Sequence, residues 1–440
     1  MVERYLPGSQ SRARYMRMDT ARILKRYYFC EEAMVLAQAG WLAAIPDLEA
    51  KIAIPKFFWE DALTGNALRD RVFELRFPSR FLEVAEDAPI VDIFEEGIHA
   101  PNALAFVRSL AEVYKPAQLE AYRNYLEIAD TIADGPSVRF LNMAVIDKEN
   151  QIETLAHYAA QMTRDASDTE KSIADQWIAA LHHRIQAVGG LSVDLPTPEE
   201  GTLATAALHK LFALSEEAVH DPKFQLCRYY WPNVIDTNFP YGDGMMLQLR
   251  SAVSHLNEVW AVETGGAVLH AMGKELGWEF ILDAARWTYD ESRHTRMGYD
   301  RLLSWGFEPK ELPLGSYIYD SAKGEPAYTR LGMLHYFETK NIGKKHDRAA
   351  AFESYNDDAS QHDMEFDWAD ETIHAHYGSK WIKVLRDLHP DLADKETLVA
   401  HCDGLVDRIV QQATEQDRQH IYAVANAMIA KAEKFAVELA

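Results

Sequence analysis

Cysteine, alternating strand-like runs, long apolar stretches and basic residues are all scarce in this chain. Its 440 residues include three cysteines. Cys30, Cys227 and Cys402 are far apart, so they form neither a disulfide framework nor a paired C-x-x-C, and a reducing cytoplasm is the expected compartment. The longest apolar run, Met34 to Ile45, is interrupted by Gln38 and stopped by Pro46, too short to span a bilayer. The opening MVERYLPGSQSRARY carries arginine but no apolar segment, so no secretory signal is expected. Against 68 Asp+Glu stand only 45 Lys+Arg, a formal charge of −23. A field of that sign repels phosphate backbones and anionic lipid surfaces, so neither nucleic acid nor membrane is an expected partner.

What is present is helix. The 48% hydrophobic and 26% charged fractions are those of a globular chain able to bury a large core. Segments such as RILKRYYFCEEAMVLAQAGWLAAI, AQLEAYRNYLEIADTI and SIADQWIAALHHRIQAV repeat apolar residues at three- and four-residue spacing. Pro and Gly fall mostly between such segments. The spacing predicts an all-α chain: an N-terminal helical domain over 1–188, a connector over 189–244, a four-helix bundle over 245–390 and C-terminal helices over 391–440.

One spacing carries chemistry. Glu-x-x-His places both side chains on one helix face, because three residues advance a helix by roughly 300° and about 4.5 Å. The pairs Glu96/His99, Glu217/His220, Glu291/His294 and Glu371/His374 all have it. Only the last two share a longer context, DESRHTRMG and DETIHAHYG, offset by eighty positions (371 − 291). Each has a glutamate upstream at one and the same interval, Glu258 before Glu291 and Glu338 before Glu371 (291 − 258 = 371 − 338). Each of those glutamates is itself preceded, three positions earlier, by a histidine, His255 or His335. The midpoints of the two intervals fall in GKELG and beside YNDDAS, both turn-like. Each half therefore reads as an antiparallel helical hairpin setting a Glu opposite a Glu/His pair. Four carboxylates and two imidazoles in one core are costly unless cations compensate them. Two divalent ions would, and the mixed histidine-carboxylate set without thiolate suits iron or manganese.

This arrangement resembles the ferritin-like di-iron carboxylate proteins, in which two helices give a Glu each and two give Glu-x-x-His. The wording SHLNEVWAVETGG…DESRH and HYFETKN…DETIHAHYGSKW is most similar to bacterial ferritin-like domain proteins of unassigned function. The resemblance covers roughly 245–390. It implies Glu258, Glu291, His294, Glu338, Glu371 and His374 as ligands of two iron ions (Fe2+/Fe3+), with manganese as the alternative metal. No catalytic residue is assigned beyond these ligands. Glu263 is an alternative to Glu258, since spacings as short as that from Glu263 to Glu291 occur in relatives, but five positions apart the two cannot face the same ion. His255 and His335 are candidates for supporting or core positions, and Asp290 and Asp370 for acceptors behind the ligands. Tyr289 and Tyr299 are candidates for electron or proton transfer, with aromatic packing the default.

The N-terminal region resembles a second ferritin-like bundle, with FFWEDALTGNALRDRV matching a second helix. Glu60 is followed at three residues by Leu63, and Glu153 by Ala156 with His157 adjacent. These departures point to a metal-free bundle. The family resemblance implies an oxidoreductase: a di-iron oxygenase or oxidase using O2 on a small organic substrate. The alternative is an iron-binding or ferroxidase protein with no organic substrate. A homodimer is compatible with either.

Overall fold

The structure, a computed structural model, describes residues 14–79, 81–198 and 210–439. It is predominantly helical, as the periodicity predicts. Strand among the described residues is one parallel pair, Gln225–Cys227 (β1) against Pro313–Gly315 (β2). None of the described helices is long and apolar enough to cross a membrane. The chain divides into two compact units, 1–37 with 57–212 and 38–56 with 213–440. Residues 38–56, which the linear reading kept with the first helical region, cluster with the second unit. Lys51 pairs there with Glu263, and a Cβ on Gly266 would come within 2.5 Å of the Ala39 carbonyl. Neither pairing is visible along the sequence.

The first unit is built on Arg17–Trp41 (α1) and Leu48–Glu74 (α2), less their 38–56 portions, followed by Ala88–Glu96 (α3), Ala103–Ser109 (α4), Lys115–Ile128 (α5), Gly135–Asp165 (α6) and Asp168–Ala187 (α7). Local chemistry sets the helix starts. The Asn102 side chain accepts from Ala105 N at 2.8 Å, and Ser167 and Glu170 form a reciprocal capping box. A five-residue π-turn, Leu110–Tyr114, joins α4 to α5. Pro116, which has no N–H to donate, follows after Lys115.

The acids singled out in this unit do not face its core. Glu60 is half-buried and accepts from Gln151 Nε2 at 3.0 Å, while Glu153, His157, His182 and His183 are exposed. The fully buried acids are instead Glu31 on α1 and Asp61 on α2, each at 0% exposure. Two buried ammonium groups meet them. Lys148 on α6 lies 2.9 Å from Glu31 and 2.5 Å from Asp61, Lys115 on α5 binds Asp61, and the Tyr122 hydroxyl donates to Glu31. Two negative charges face two positive ones on four helices.

The second unit contains Gly244–Leu256 (α8), Val259–Leu276 (α9), Trp278–Ser304 (α10), Tyr317–Ser321 (α11), Ala327–Ser354 (α12), Asp358–Leu388 (α13), Lys395–Gln411 (α14) and Glu415–Leu439 (α15). Within it α9 packs on α10 and α12, and α13 on α12 and α10, closing a ring of four helices. The hairpin turns fall near the expected midpoints. Gly277, with φ of 79°, ends α9. Tyr355–Asp357 separate α12 from α13, where the Asp357 side chain caps Ser360 N at 3.0 Å. One expected helix is broken. Between α8 and α9, Asn257 leaves the helix and its amide bonds Val253 O, Pro313 O and Gly315 N at 2.8–3.0 Å. Glu258 sits at this break; Glu338, its counterpart in the second half of the duplication, lies inside the unbroken α12.

The final glycine of each repeated motif has a packing reason. A Cβ on Gly298 would meet Leu256 N at 2.3 Å and Ala252 O at 2.5 Å, with His255 Cβ at 2.6 Å; one on Gly378 would meet His335 Nδ1 at 2.7 Å and its Cβ at 2.8 Å. Each glycine thus receives the histidine of His-x-x-Glu from its own half. Gly298→Ala is expected to destabilise the protein by about 3 kcal/mol, since the obstructing atoms are largely backbone. Gly343→Ala, whose Cβ meets nothing within 4 Å, should instead raise stability by about 0.5 kcal/mol. Urea melts of the two variants check this, and equal midpoints would refute it.

Candidate metal centre

Four helices bring the six sequence-singled side chains together. Glu258 comes from the α8–α9 break, Glu291 and His294 from α10, Glu338 from α12, and Glu371 and His374 from α13. All are buried apart from Glu258, whose side chain is 18% exposed. Their donor atoms form overlapping groups: Glu258, Glu291 and His294; Glu291, Glu338 and His374; and His294, Glu371 and Asp367. Glu291 lies between the two imidazoles. Its Oε2 is 3.6 Å from His294 Nδ1 and its Oε1 is 3.1 Å from His374 Nδ1. His294 Nδ1 is also 3.4 Å from both Glu258 Oε2 and Asp367 Oδ1, and His374 Nδ1 is 3.9 Å from Glu338 Oε1. Glu263 is placed elsewhere, buried against Lys51 and 3.4 Å from His220. Glu258 is therefore the first-helix acid of the cluster.

The groups behind the imidazoles are crossed between the halves. Asp370 Oδ2 on α13 lies 3.2 Å from His294 Nε2, and Asp290 Oδ2 on α10 lies 3.3 Å from His374 Nε2. Each aspartate precedes one cluster glutamate and supports the histidine of the other half. Arg293 bridges both aspartates and Arg286 holds Asp290 at 2.7 Å. Such partners keep the proton on Nε2 and turn the Nδ1 lone pair toward the cluster.

Three contributors were missed from the sequence. Asp367, at 0% exposure, accepts from His255 at 2.9 Å, and Arg301 donates to the other nitrogen of that ring at 2.5 Å. Lys345 reaches in from α12 to Asp367 at 2.5 Å and to Glu371. Trp287 Nε1 is 3.2 Å from Glu291 Oε1 and 3.3 Å from Glu338 Oε1, and its ring stacks on His374. Helical register was the available signal: Trp287 and Asp367 each lie four positions before a cluster glutamate, and Lys345 seven after Glu338, all on one face. The duplication diverges at these very positions, where Trp287 faces Asp367 in register and Gly265 faces Lys345. Of the two candidate tyrosines, Tyr299 packs on Phe224 and Tyr289 lies under Arg293.

The electrostatics are those of a site short of cations. Burial alone would raise the Glu291 carboxyl, but the imidazoles on either side hold it well below the usual range. Glu338 is pushed well up, by burial and then by the charge of Glu291. Burial opposes protonation of His374, yet Asp290 and Glu291 outweigh it and raise the ring to about 9. With both imidazoles counted in the neutral form that a metal ligand takes, the carboxylates of Glu258, Glu291, Glu338, Glu371 and Asp367 against the Lys345 ammonium leave four negative charges, which two divalent ions would cancel. Glu258 Oε2, His294 Nδ1, Glu371 Oε2 and His374 Nδ1 are buried with no hydrogen-bond partner. Those are the atoms metal ligands would offer. Donors sharing one ion at about 2.1 Å lie about 3 Å apart, close to the 3.1–3.9 Å separations here. The residues fit two divalent cations.

A cavity of about 240 Å3 opens onto the cluster, lined by Glu258, Glu291, Glu338 and Glu371 and by the apolar faces of Trp260 and Phe337, whose rings pack 4.9 Å apart. This chain matches no protein-family model, no curated protein and no solved structure.

Proposed function

We propose that the ring of four helices in the second unit is a ferritin-like bundle holding two iron ions, or manganese in their place, and that the chain is an O2-dependent oxidoreductase for a small organic substrate. The observation that carries this reading is a set of carboxylates and imidazoles, four charges short of neutral with the imidazoles uncharged, beside a cavity whose wall includes Trp260 and Phe337. Glu258, Glu291, His294, Glu338, Glu371 and His374 would hold the ions. Two ferrous ions would supply electrons to O2, chemistry that side chains alone lack.

The chain's own residues do the rest. Glu291, set between both imidazoles, is the natural shared ligand. Asp290 and Asp370 keep the ring protons on Nε2. The Trp287 N–H orients the Glu291 and Glu338 carboxylates, and Lys345 neutralises the fifth acid, Asp367. Trp260 and Phe337 exclude water from one side of the cavity and give an organic substrate surface to pack on.

Metal analysis of anaerobically purified protein, followed by optical spectra on adding O2, tests the proposal. About two irons per chain and a transient oxygen-dependent absorption are expected. Absence of bound transition metal would sink it. Accumulation of iron well beyond two ions per chain would instead favour an iron-handling role without an organic substrate.

A further inference from the structure

Besides the carboxylates, the cavity is lined by an arginine whose charge meets no carboxylate. Arg250 on α8 is 5% exposed. Its Nε donates to Asn233 Oδ1 at 2.9 Å, its Nη2 lies 3.5 Å from the Tyr230 hydroxyl, and the guanidinium sits over the Tyr230 and Tyr241 rings at 5.1 and 5.0 Å. These partners are neutral. Nη1 is buried with no hydrogen-bond partner, and so is the Tyr241 hydroxyl. A buried cation is costly unless an anion meets it, and contacts with ring faces recover only part of that cost.

The duplication supplies an internal control. Arg330 is the counterpart of Arg250, eight positions before Glu338 as Arg250 stands eight before Glu258. It is equally buried and lies over the Tyr319 ring at 4.2 Å, but it has an acid, Glu216, at 3.4 Å and donates to the Tyr319 carbonyl. The same arginine is thus counter-ioned in one half and left without a counter-ion in the half that borders the cavity. Arg348, a further lining cation, lies over Tyr241 and pairs with no carboxylate among the described residues.

We propose that the substrate is a small carboxylic acid, bound through its carboxylate by Arg250 with the Tyr241 hydroxyl as second donor, its apolar part lying along Trp260 and Phe337. This rests on the di-metal oxidase reading for the reaction, but not for the binding. A guanidinium offers a carboxylate paired N–H donors in a fixed plane, which a neutral amide cannot exploit equally. The cavity volume suits a molecule smaller than the drug-sized ligands of roughly 300–1,000 Å3 pockets.

The test is calorimetric titration of the full chain, with metal content measured on the same sample, using hexanoate and its neutral counterpart hexanamide. Hexanoate is expected to bind at least about tenfold more tightly than hexanamide. Arg250→Gln should abolish that preference, Arg250→Lys should restore part of it, and Tyr241→Phe, which keeps the packed ring, should weaken hexanoate several-fold. Arg330→Gln should leave the preference intact. Equal binding of acid and amide, no binding of hexanoate at millimolar concentration, or hexanoate binding undiminished in Arg250→Gln and Tyr241→Phe would each overturn the proposal, the last by placing the carboxylate on a metal. Arg250-dependent binding in a sample without metal would uphold the anion site while removing the di-metal oxidase reading, so the two failures are distinct.

Discussion

If the cluster holds two cations as proposed, a Glu291→Ala chain is expected to lose both, where removal of any other single candidate ligand should weaken mainly one. Glu291 is the one carboxylate within reach of both imidazoles, 3.6 Å from His294 and 3.1 Å from His374. Deleting the residue shared by both groups should lower affinity by more than about 100-fold, the upper end of what loss of a mere supporting group costs. Asp290→Asn, which reaches the cluster only through the far side of His374, should cost about 10–100-fold. Metal content after dialysis against a weak chelator checks the order, with Glu291→Gln as the variant that keeps volume and the contact to Trp287. If Glu291→Ala still retained about two ions per chain, the shared-ligand geometry would be wrong.

The second large effect belongs to the first unit. Asp61→Asn is expected to destabilise it by about 3–5 kcal/mol, the cost of breaking a buried ion pair while leaving its partners charged. Both Lys115 and Lys148 bind Asp61. Lys115, buried and beside a second ammonium, is already pushed down to about 8. Glu31→Gln should cost less, because burial raises the Glu31 carboxyl and the fold already resists its charge.

The acid dependence follows the same residue. Burial would raise the Asp61 carboxyl, but the two ammonium groups overcome it and hold it at about 2. Its folded value lies below that of an unfolded aspartate, so its stabilisation is fully present above about pH 4 and is lost as pH falls from there through about 2. Hydrogen exchange in α2, α5 and α6 from pH 5 to pH 2 should show protection falling in the wild type and already low in Asp61→Asn. Equal protection in the two chains at pH 5 would contradict the argument.

Much of the second unit was legible. The all-α architecture, the two turns near 275 and 355 and the convergence of Glu258, Glu291, His294, Glu338, Glu371 and His374 follow from helical periodicity, because a hairpin brings residues equidistant from its turn to one level. Asp367 and Lys345 stayed hidden because a residue four or seven positions along a helix joins a cluster only if that face is known to be buried. The Glu31, Asp61, Lys115 and Lys148 set was illegible for a stronger reason. Its members lie on four helices with no repeated spacing, and the residues that did resemble a motif, Glu60 and Glu153, are half-buried and exposed.

The halves of the duplication mark the division most sharply. Sequence alone carried the helices, the repeat and the set of acids, since these depend on contacts between residues a few positions apart or on one turn. It favoured Glu258 over Glu263 only through the duplicated His-x-x-Glu register, and it could not tell Arg250 from Arg330, which share residue type and helical setting. Those differences were decided by tertiary structure, because a buried charge takes its character from whichever opposite charge lies about 3 Å away. Glu216 reaches Arg330 and Lys51 reaches Glu263 from distant parts of the chain, while Arg250 and Glu258 are left facing a cavity.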